Sequence, residues 1–190
     1  MPSRKPAKNV PEMMKPAIFI DRDDTLIYNV PYLSDPEKVV LTPGAGETLA
    51  LLANAGFLII VITNQSGIGR GYFNVEQLNA VHDKLRQLLS SFKVVLDGLY
   101  YCPHAPTQEC NCRKPKTGML EQACHDHRID LTRSIMVGDS LQDIQMGRNF
   151  GLHTVQLRLE GSDKEDFQAD FLVSSLPEMV DFALACLKGQ

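Results

Sequence analysis

Two aspartates, Asp21 and Asp23, directly follow the apolar run Ala17–Ile20 in the sequence AIFIDRDDTLI. A short continuous apolar run is typical of a buried parallel strand, and ligands of open α/β sheets bind at the carboxyl ends of such strands. Residues i and i+2 of an extended chain point to the same side, so both carboxylates can face one cleft. Because two like charges this close repel each other, we predict a cation beside them. Mg²⁺, which prefers a few oxygen ligands and several waters, fits best.

Two further polar motifs have the chemistry of phosphate binding. Thr63 and Asn64 end the apolar run of VITNQSG, where a hydroxyl, an amide and the N–H groups of a glycine-containing turn can donate to phosphate oxygens. Arg113 and Lys114 are adjacent cations, one a planar fork and the other a point charge, and both neutralise phosphoryl oxygens. The sequence therefore pairs a candidate metal site with a candidate phosphate site.

A fourth motif, Gly138-Asp139-Ser140-x-x-Asp143, follows the apolar run SIMV. Asp139 would add a metal-binding oxygen, and Asp143 could support it. Each motif alone is weak, because such residues are also common in ordinary turns. Four in this order, three of them at the ends of predicted strands, indicate metal-assisted phosphate chemistry.

Apolar runs alternate with helical patterns along the chain, which predicts an α/β fold with a mainly parallel sheet and helices on both faces. The predicted strands are 17–21, 57–62, 96–101, 134–138 and 152–157. The predicted helices are 44–55, 75–91, 117–127, 140–150 and 176–188. We expect a flexible tail over 1–15 and a single domain over 16–190.

Composition narrows the classes of partner. The 190 residues carry a net charge of −4, which gives no electrostatic footprint for nucleic acid or an anionic membrane. We find neither a transmembrane run nor the apolar core of a signal peptide. Five cysteines, an odd number, without a secretion signal indicate a reducing cytoplasm. We expect a small domain of this kind to be a monomer.

Three of the cysteines and one histidine cluster in the segment 102–112. Three thiolates and an imidazole satisfy a tetrahedral structural zinc site and leave no open position for catalysis. The competing interpretation, that these are unrelated surface and core residues, is disfavoured by the density of soft ligands. Zinc would fix the loop that leads into Arg113 and Lys114. The predicted ligands are Cys102, His104, Cys110 and Cys112.

Taken together, Asp21-x-Asp23-x-Thr25, Thr63, Lys114 and Gly138-Asp139-x-x-x-Asp143 resemble the four motifs of the haloacid dehalogenase-like (HAD) phosphohydrolases. The resemblance spans residues 17–157 and implies a Rossmann-like three-layer sandwich. Asp21 would attack phosphorus to form an aspartyl-phosphate, and Asp23 would act as general acid and then general base.

The same resemblance gives the remaining motif residues their roles. Thr63 and Lys114 would hold the phosphoryl oxygens. Mg²⁺ would bind Asp21, the backbone carbonyl of Asp23 and Asp139. Neither the stretch between Asp21 and Thr63 nor that between Thr63 and Lys114 has room for a full cap domain, so we expect an open site.

Within the HAD group, the cysteine loop resembles the small zinc-containing branch of heptose bisphosphate and histidinol phosphatases. TNQSGIGRG at 63–71 and CRKP at 112–115 favour the heptose enzymes. That resemblance implies hydrolysis of the 7-phosphate of a heptose 1,7-bisphosphate, on the route to bacterial surface polysaccharide. The residues it assigns to substrate binding are Asn29, Val30, Pro31, Tyr32, Asn64, Gln65, Ser66 and Arg113.

Other functions stay open at this point. The short spacing from His104 to Cys110 also resembles histidinol-phosphate phosphatases. Two residues depart from the heptose enzymes: Asp24 stands where Gly is usual, and Ser140 where Lys is frequent. A non-catalytic phosphosugar-binding module is disfavoured because every catalytic position is intact, and a zinc-stabilised nucleic-acid binder because the chain is acidic.

Overall fold

Six parallel strands form the single sheet of the protein, seen in a computed structural model that describes residues 13–159, 163 and 165–188. The spatial order is β3-β2-β1-β4-β5-β6, and every neighbouring pair is parallel. The first strand is therefore central, between β2 and β4. The strands are β1 Ala17–Ile20, β2 Leu58–Asn64, β3 Gly98–Cys102, β4 Ile135–Gly138, β5 His153–Leu157 and β6 Phe171–Val173.

Helices follow most of the strands, as crossover connections between parallel strands require. They are α1 Ala45–Asn54, α2 Ser66–Gly69, α3 Val75–Ser90, α4 Gly118–Asp126, α5 Leu141–Asn149 and α6 Val180–Leu187. Three 3₁₀ segments lie at Pro36–Lys38, Leu131–Arg133 and Leu176–Met179. The longest helix, α3, begins with a capping box in which Asn74 and Gln77 bond each other's backbone N–H.

Alternation along the central strand divides the core into two layers. Ile18 and Ile20 pack in one cluster with side chains of α1, α3 and α6. Ala17 and Phe19 point to the opposite face and pack with side chains of α4 and α5. All four residues are fully buried, as expected of a strand covered on both faces. The predicted Rossmann-like three-layer sandwich is confirmed.

All five predicted strands and five predicted helices are present, with ends that differ by a few residues. The prediction missed β6 and α2, which have three and four residues and too little pattern to recognise. The predicted helix over 176–188 starts as the 3₁₀ segment Leu176–Met179. Strand β2 continues to Asn64, so Thr63 and Asn64 belong to the strand itself.

The stretch from Asp21 to Lys114 is described throughout, and it contains one 3₁₀ segment, α1 to α3, β2 and β3. These elements belong to the sandwich, so the prediction of a site without a large cap agrees with the fold. Of the predicted tail, residues 1–12 lie outside the described part, whereas Lys15 forms a parallel bridge with Ile129. Among the described residues, every helix is too short or too polar to span a bilayer.

Candidate active site

The carboxyl ends of β1, β2 and β4 meet at a cleft of about 490 Å³. Parallel strands end at the same edge of the sheet, and this edge is where the polar motifs converge. The predicted catalytic and magnesium-binding residues that line it are Asp21, Asp23, Thr63, Lys114 and Asp139. Residues more than one hundred positions apart in the sequence, such as Asp21 and Asp139, therefore meet at one site, as the motifs predicted.

Lys114 links two carboxylates beneath this cleft. Its Nζ lies 2.5 Å from Oδ1 of Asp21, 2.6 Å from Oδ1 of Asp143 and 3.1 Å from the carbonyl oxygen of Ile62. All three ionic side chains are buried. Burial opposes the charge on Lys114, but Asp143 and Asp21 outweigh it and raise the pKa of the ammonium above its ordinary value. Lys114 is therefore a permanent cation in the site.

Asp21 is incompletely neutralised by this contact. The pKa of its carboxyl group is raised to about 7, mainly by burial; the charges of Asp143 and Asp23 also raise it, and Lys114 lowers it. Lys114 does not offset the effect of burial, because its one ammonium is shared between two carboxylates. Without another cation, Asp21 holds its proton up to near neutral pH.

A divalent cation fits the excess of negative charge. Carboxylate oxygens of Asp21, Asp139 and Asp143 lie within 4.8 Å of one another, and all three residues are buried. Oxygen ligands of this kind suit Mg²⁺. Asp139 also accepts a hydrogen bond from Thr25 Oγ1 at 3.3 Å, which orients its carboxylate.

Asp143 is held by the start of helix α5. It accepts bonds from the backbone N–H and the hydroxyl of Ser140, at 3.1 and 2.5 Å, and the two residues form a capping box. A Cβ on Gly138 would lie 2.3 Å from Cγ of Asp143, so only glycine allows this approach. These contacts hold the Asp143 carboxylate where Lys114 bonds it.

Asp23 is surrounded by donors. Arg22 reaches both of its carboxylate oxygens, with contacts of 3.0 to 3.2 Å. Gln65 Nε2 donates to Oδ2 at 2.9 Å, and Thr63 Oγ1 to the same oxygen at 3.4 Å. Sequence reasoning missed Arg22, because no local pattern shows that an arginine beside two aspartates is buried.

Asn64, predicted to bind substrate, forms two hydrogen bonds with the backbone of Lys114. Its Oδ1 accepts from the N–H of Lys114 at 3.1 Å, and its Nδ2 donates to the carbonyl at 3.4 Å. Gln65 also donates to Thr63 Oγ1 at 2.8 Å. Both amides thus connect the end of β2 to groups that line the cleft, while their contact with substrate stays a prediction.

A second cleft of about 360 Å³ adjoins the first. Tyr32 lines it and meets the ring of Tyr72 edge to face, with centroids 4.5 Å apart. Tyr72 was not predicted, because a lone tyrosine in a loop carries no signal. The predicted substrate residues that line this cleft are Asn29, Val30, Pro31, Tyr32, Asn64, Gln65 and Ser66. Arg113 lines the first cleft and donates to the carbonyl of His104 at 3.4 Å.

Asp24 adopts a left-handed backbone, with φ of 59°. This conformation is unfavourable for most residues other than glycine, although Asp and Asn tolerate it. Its carboxylate accepts a hydrogen bond from Asn29 Nδ2 at 3.0 Å, which ties the predicted substrate loop to the metal-site loop.

The four predicted zinc ligands come together. Their ligand atoms lie within 4.8 Å of one another, with His104 Nδ1 3.5 Å from Cys102 Sγ and 3.3 Å from Cys112 Sγ. Cys110 Sγ lies 3.8 Å from Cys102 Sγ. Burial raises the pKa of the Cys102 thiol to about 12, so this group ionises readily only if a metal replaces its proton. Three sulfurs and one ring nitrogen match a closed tetrahedral site.

Known proteins share both the sequence and the fold. A family model for HAD-hydrolase-like proteins matches residues 111–179. The D-glycero-beta-D-manno-heptose-1,7-bisphosphate 7-phosphatase of Haemophilus ducreyi is 38% identical over 180 residues, covering 90% of this chain and 99% of the relative. The corresponding 7-phosphatase of Thermosynechococcus vestitus is 36% identical, covering 90% of this chain and 96% of the relative.

A solved structure agrees with these relatives. The D,D-heptose 1,7-bisphosphate phosphatase of B. bronchiseptica, crystallised with magnesium and phosphate, superposes with a TM-score of 0.80. It is 29% identical, and the match covers 92% of this chain and 99% of that one. This chain therefore belongs to the heptose-1,7-bisphosphate 7-phosphatase family of the HAD-like phosphatases.

Proposed function

We propose that the protein is a Mg²⁺-dependent phosphatase that removes the 7-phosphate of D-glycero-D-manno-heptose 1,7-bisphosphate through an aspartyl-phosphate. The observation that carries the proposal is the Asp21 carboxylate at the cleft, bound by Lys114 and followed two residues later by Asp23. The names of the relatives supply the substrate. The predictions of a small phosphorylated sugar as partner, a cytoplasmic location and a monomer belong to this proposal.

The first half of the reaction transfers the phosphoryl group to Asp21. A carboxylate oxygen of Asp21 attacks phosphorus, and the bond from phosphorus to the sugar oxygen breaks. Asp23 gives its proton to that leaving oxygen. Thr63 and Lys114 donate to the phosphoryl oxygens and stabilise the charge that develops on them.

The second half restores the enzyme. Asp23, now a carboxylate, takes a proton from water, and the hydroxide oxygen forms a bond to phosphorus. The bond between phosphorus and Asp21 breaks, which releases inorganic phosphate and the free carboxylate. Asp23 regains its proton from the water, so the cycle balances.

Mg²⁺ would be held by the carboxylates of Asp21 and Asp139 and by the backbone carbonyl of Asp23. When bound, it would offset the charge repulsion between the nucleophile and the phosphate. Asp143 would support the site through Lys114, whose ammonium it shares with Asp21. The set of clustered buried carboxylates supports this assignment.

Zn²⁺ would be held by the cluster of Cys102, His104, Cys110 and Cys112. Its part would be structural, because four ligands fill a tetrahedral site. Arg113 follows Cys112 directly and bonds the carbonyl of His104, so the ordered loop would determine where the cation lies.

A second candidate, histidinol-phosphate phosphatase, is supported by the short spacing from His104 to Cys110 in the metal loop. The test is release of inorganic phosphate from both anomers of heptose 1,7-bisphosphate and from histidinol phosphate, with Mg²⁺ and with EDTA. We expect release from the heptose substrate that requires Mg²⁺ and is lost in Asp21→Asn. Activity confined to histidinol phosphate would replace the substrate assignment, and no release from any of them would favour a binding module.

A further inference from the structure

We propose that His82 and Arg22 are positioning residues for Asp23: His82 holds the guanidinium of Arg22, which in turn fixes the carboxylate that donates and accepts the proton. The inference rests on the proposed function, since it concerns how Asp23, the general acid and base of that reaction, is held in position. It concerns a contact between helix α3 and the loop after β1, which are 60 positions apart.

Arg22 is the first link. It is 1% exposed and the largest fully buried side chain among the described residues, although arginine is rarely buried without partners. Its Nε and Nη2 lie 3.2 and 3.0 Å from Oδ1 of Asp23, and Nη2 lies 3.0 Å from Oδ2. Gln65 and Thr63 bond Oδ2, whereas the bonds to Oδ1 come from Arg22. The planar fork therefore fixes the rotation of the carboxylate.

His82 is the second link. It lies on the buried face of α3, and its Nε2 is 3.2 Å from Nη1 of Arg22. Burial, Arg22 and Arg86 lower the pKa of His82 to about 3, so the ring is neutral. A guanidinium has only donors, so Nε2 must accept and Nδ1 must carry the proton. The ring also packs against Tyr101, with centroids 5.9 Å apart.

These contacts occupy both ends of the guanidinium. One end is bonded to Asp23 and the other to His82, so Arg22 cannot turn away from Asp23 without leaving a buried donor unpaired. Such a loss is unfavourable, and more so for a charged group than for a neutral one. Helix α3, which does not otherwise supply a predicted site residue, thereby sets the orientation of the acid and base.

The experiment uses three variants of the full chain. His82→Leu removes the acceptor at similar size, and His82→Gln keeps an acceptor near Nε2. The matched control is Arg86→Ala, one turn further along α3, whose side chain is half exposed and paired with Asp83. Each is assayed on heptose 1,7-bisphosphate in the steady state and on p-nitrophenyl phosphate by the pre-steady-state burst of p-nitrophenolate.

The two substrates separate positioning from general damage. A sugar alkoxide needs a proton to leave, whereas p-nitrophenolate leaves without one. We expect His82→Leu to lower kcat on the sugar phosphate by about 10- to 100-fold with KM within about twofold, while the burst rate changes by less than about threefold. His82→Gln should recover most of the loss, and Arg86→Ala should match the wild type.

Equal losses on both substrates, or full activity of a folded His82→Leu, would overturn the inference. If His82→Leu does not fold, Arg22→Lys provides the same comparison, because it keeps the charge and loses the fork. A wild-type protein that does not hydrolyse the sugar phosphate, or an active Asp21→Asn, would instead overturn the proposed function. If the wild-type protein does not hydrolyse the sugar phosphate, the His82 variants are compared on histidinol phosphate, which also has a poor leaving group.

Discussion

The Nζ atom of Lys114 lies 2.5 Å from Oδ1 of Asp21, across 93 residues of sequence. The same Nζ is bonded to Asp143, so one buried cation faces two buried carboxylates. Burial, together with the negative charges of Asp143 and Asp23, raises the pKa of Asp21, and the clustered carboxylates suit Mg²⁺. In the proposed function, structural support, metal binding and nucleophilic attack would thus depend on the same few atoms.

Loss of this cation should damage stability and activity together. Lys114→Met leaves Asp21 and Asp143 without their partner, and breaking a buried ion pair costs about 3–5 kcal/mol. We expect urea unfolding in EDTA to show that loss, and kcat to fall at least about 100-fold. The control is Lys84→Met. Lys84 pairs with the exposed Glu37, and such a pair contributes less than about 1 kcal/mol to the free energy of unfolding. Equal stability of the two variants would contradict this role of Lys114.

Affinity for Mg²⁺ should depend on pH through Asp21. Because the pKa of Asp21 is raised to about 7, the carboxyl is protonated below that pH and must lose its proton to bind the metal. The affinity should therefore rise by up to about tenfold per unit as pH increases toward 7, and level off above it. Titration calorimetry in two buffers of different ionisation enthalpy would measure the released proton at pH 6. A flat affinity between pH 5.5 and 7 would exclude this linkage.

Removal of the predicted zinc should loosen the loop that precedes Lys114. Cys112→Ser should lower the zinc content, the thermal midpoint and the rate of phosphate release, because metal binding contributes to folding free energy. Cys124→Ser is the matched control, since Cys124 is a half-buried cysteine outside the metal cluster. Elemental analysis and thermal unfolding provide the readouts. Wild-type protein that is fully active and equally stable without bound zinc would show that the cluster has no such role.

Asp24→Gly tests the departure from the heptose enzymes. Glycine accepts the left-handed φ of 59° without strain, which favours the variant by about 1 kcal/mol. The variant also loses a carboxylate beside the metal site and the bond to Asn29. We expect unchanged or slightly higher stability and a Mg²⁺ requirement that shifts to higher concentration. Asn29→Ala, which removes the same bond and keeps the charge, separates the two effects. An unchanged Mg²⁺ dependence in Asp24→Gly would reject the electrostatic explanation.

Sequence reasoning correctly placed the site residues that a local pattern marks. Asp21, Thr63 and Asp139 could be placed at one edge because each follows an apolar run, and parallel strands end together. The link from His82 to Arg22 could not be found, because it joins a helix and a loop that share no spacing rule. Asn64 was expected to bind substrate, but its bonds to the Lys114 backbone depend on how β2 meets the metal loop.

Strand β1 precedes the other described strands in the sequence, yet it lies in the middle of the sheet, between β2 and β4. On a ribosome, Asp21 therefore emerges long before Lys114 and Asp143, the two residues that surround its carboxylate in the finished protein. A nascent chain that ends before β4 can pair β1 on one side only, and it leaves this acidic end in water. Enclosure of the Asp21 carboxylate therefore requires segments that are made well after it, and the cleft can form only once the chain has been synthesised past Asp143.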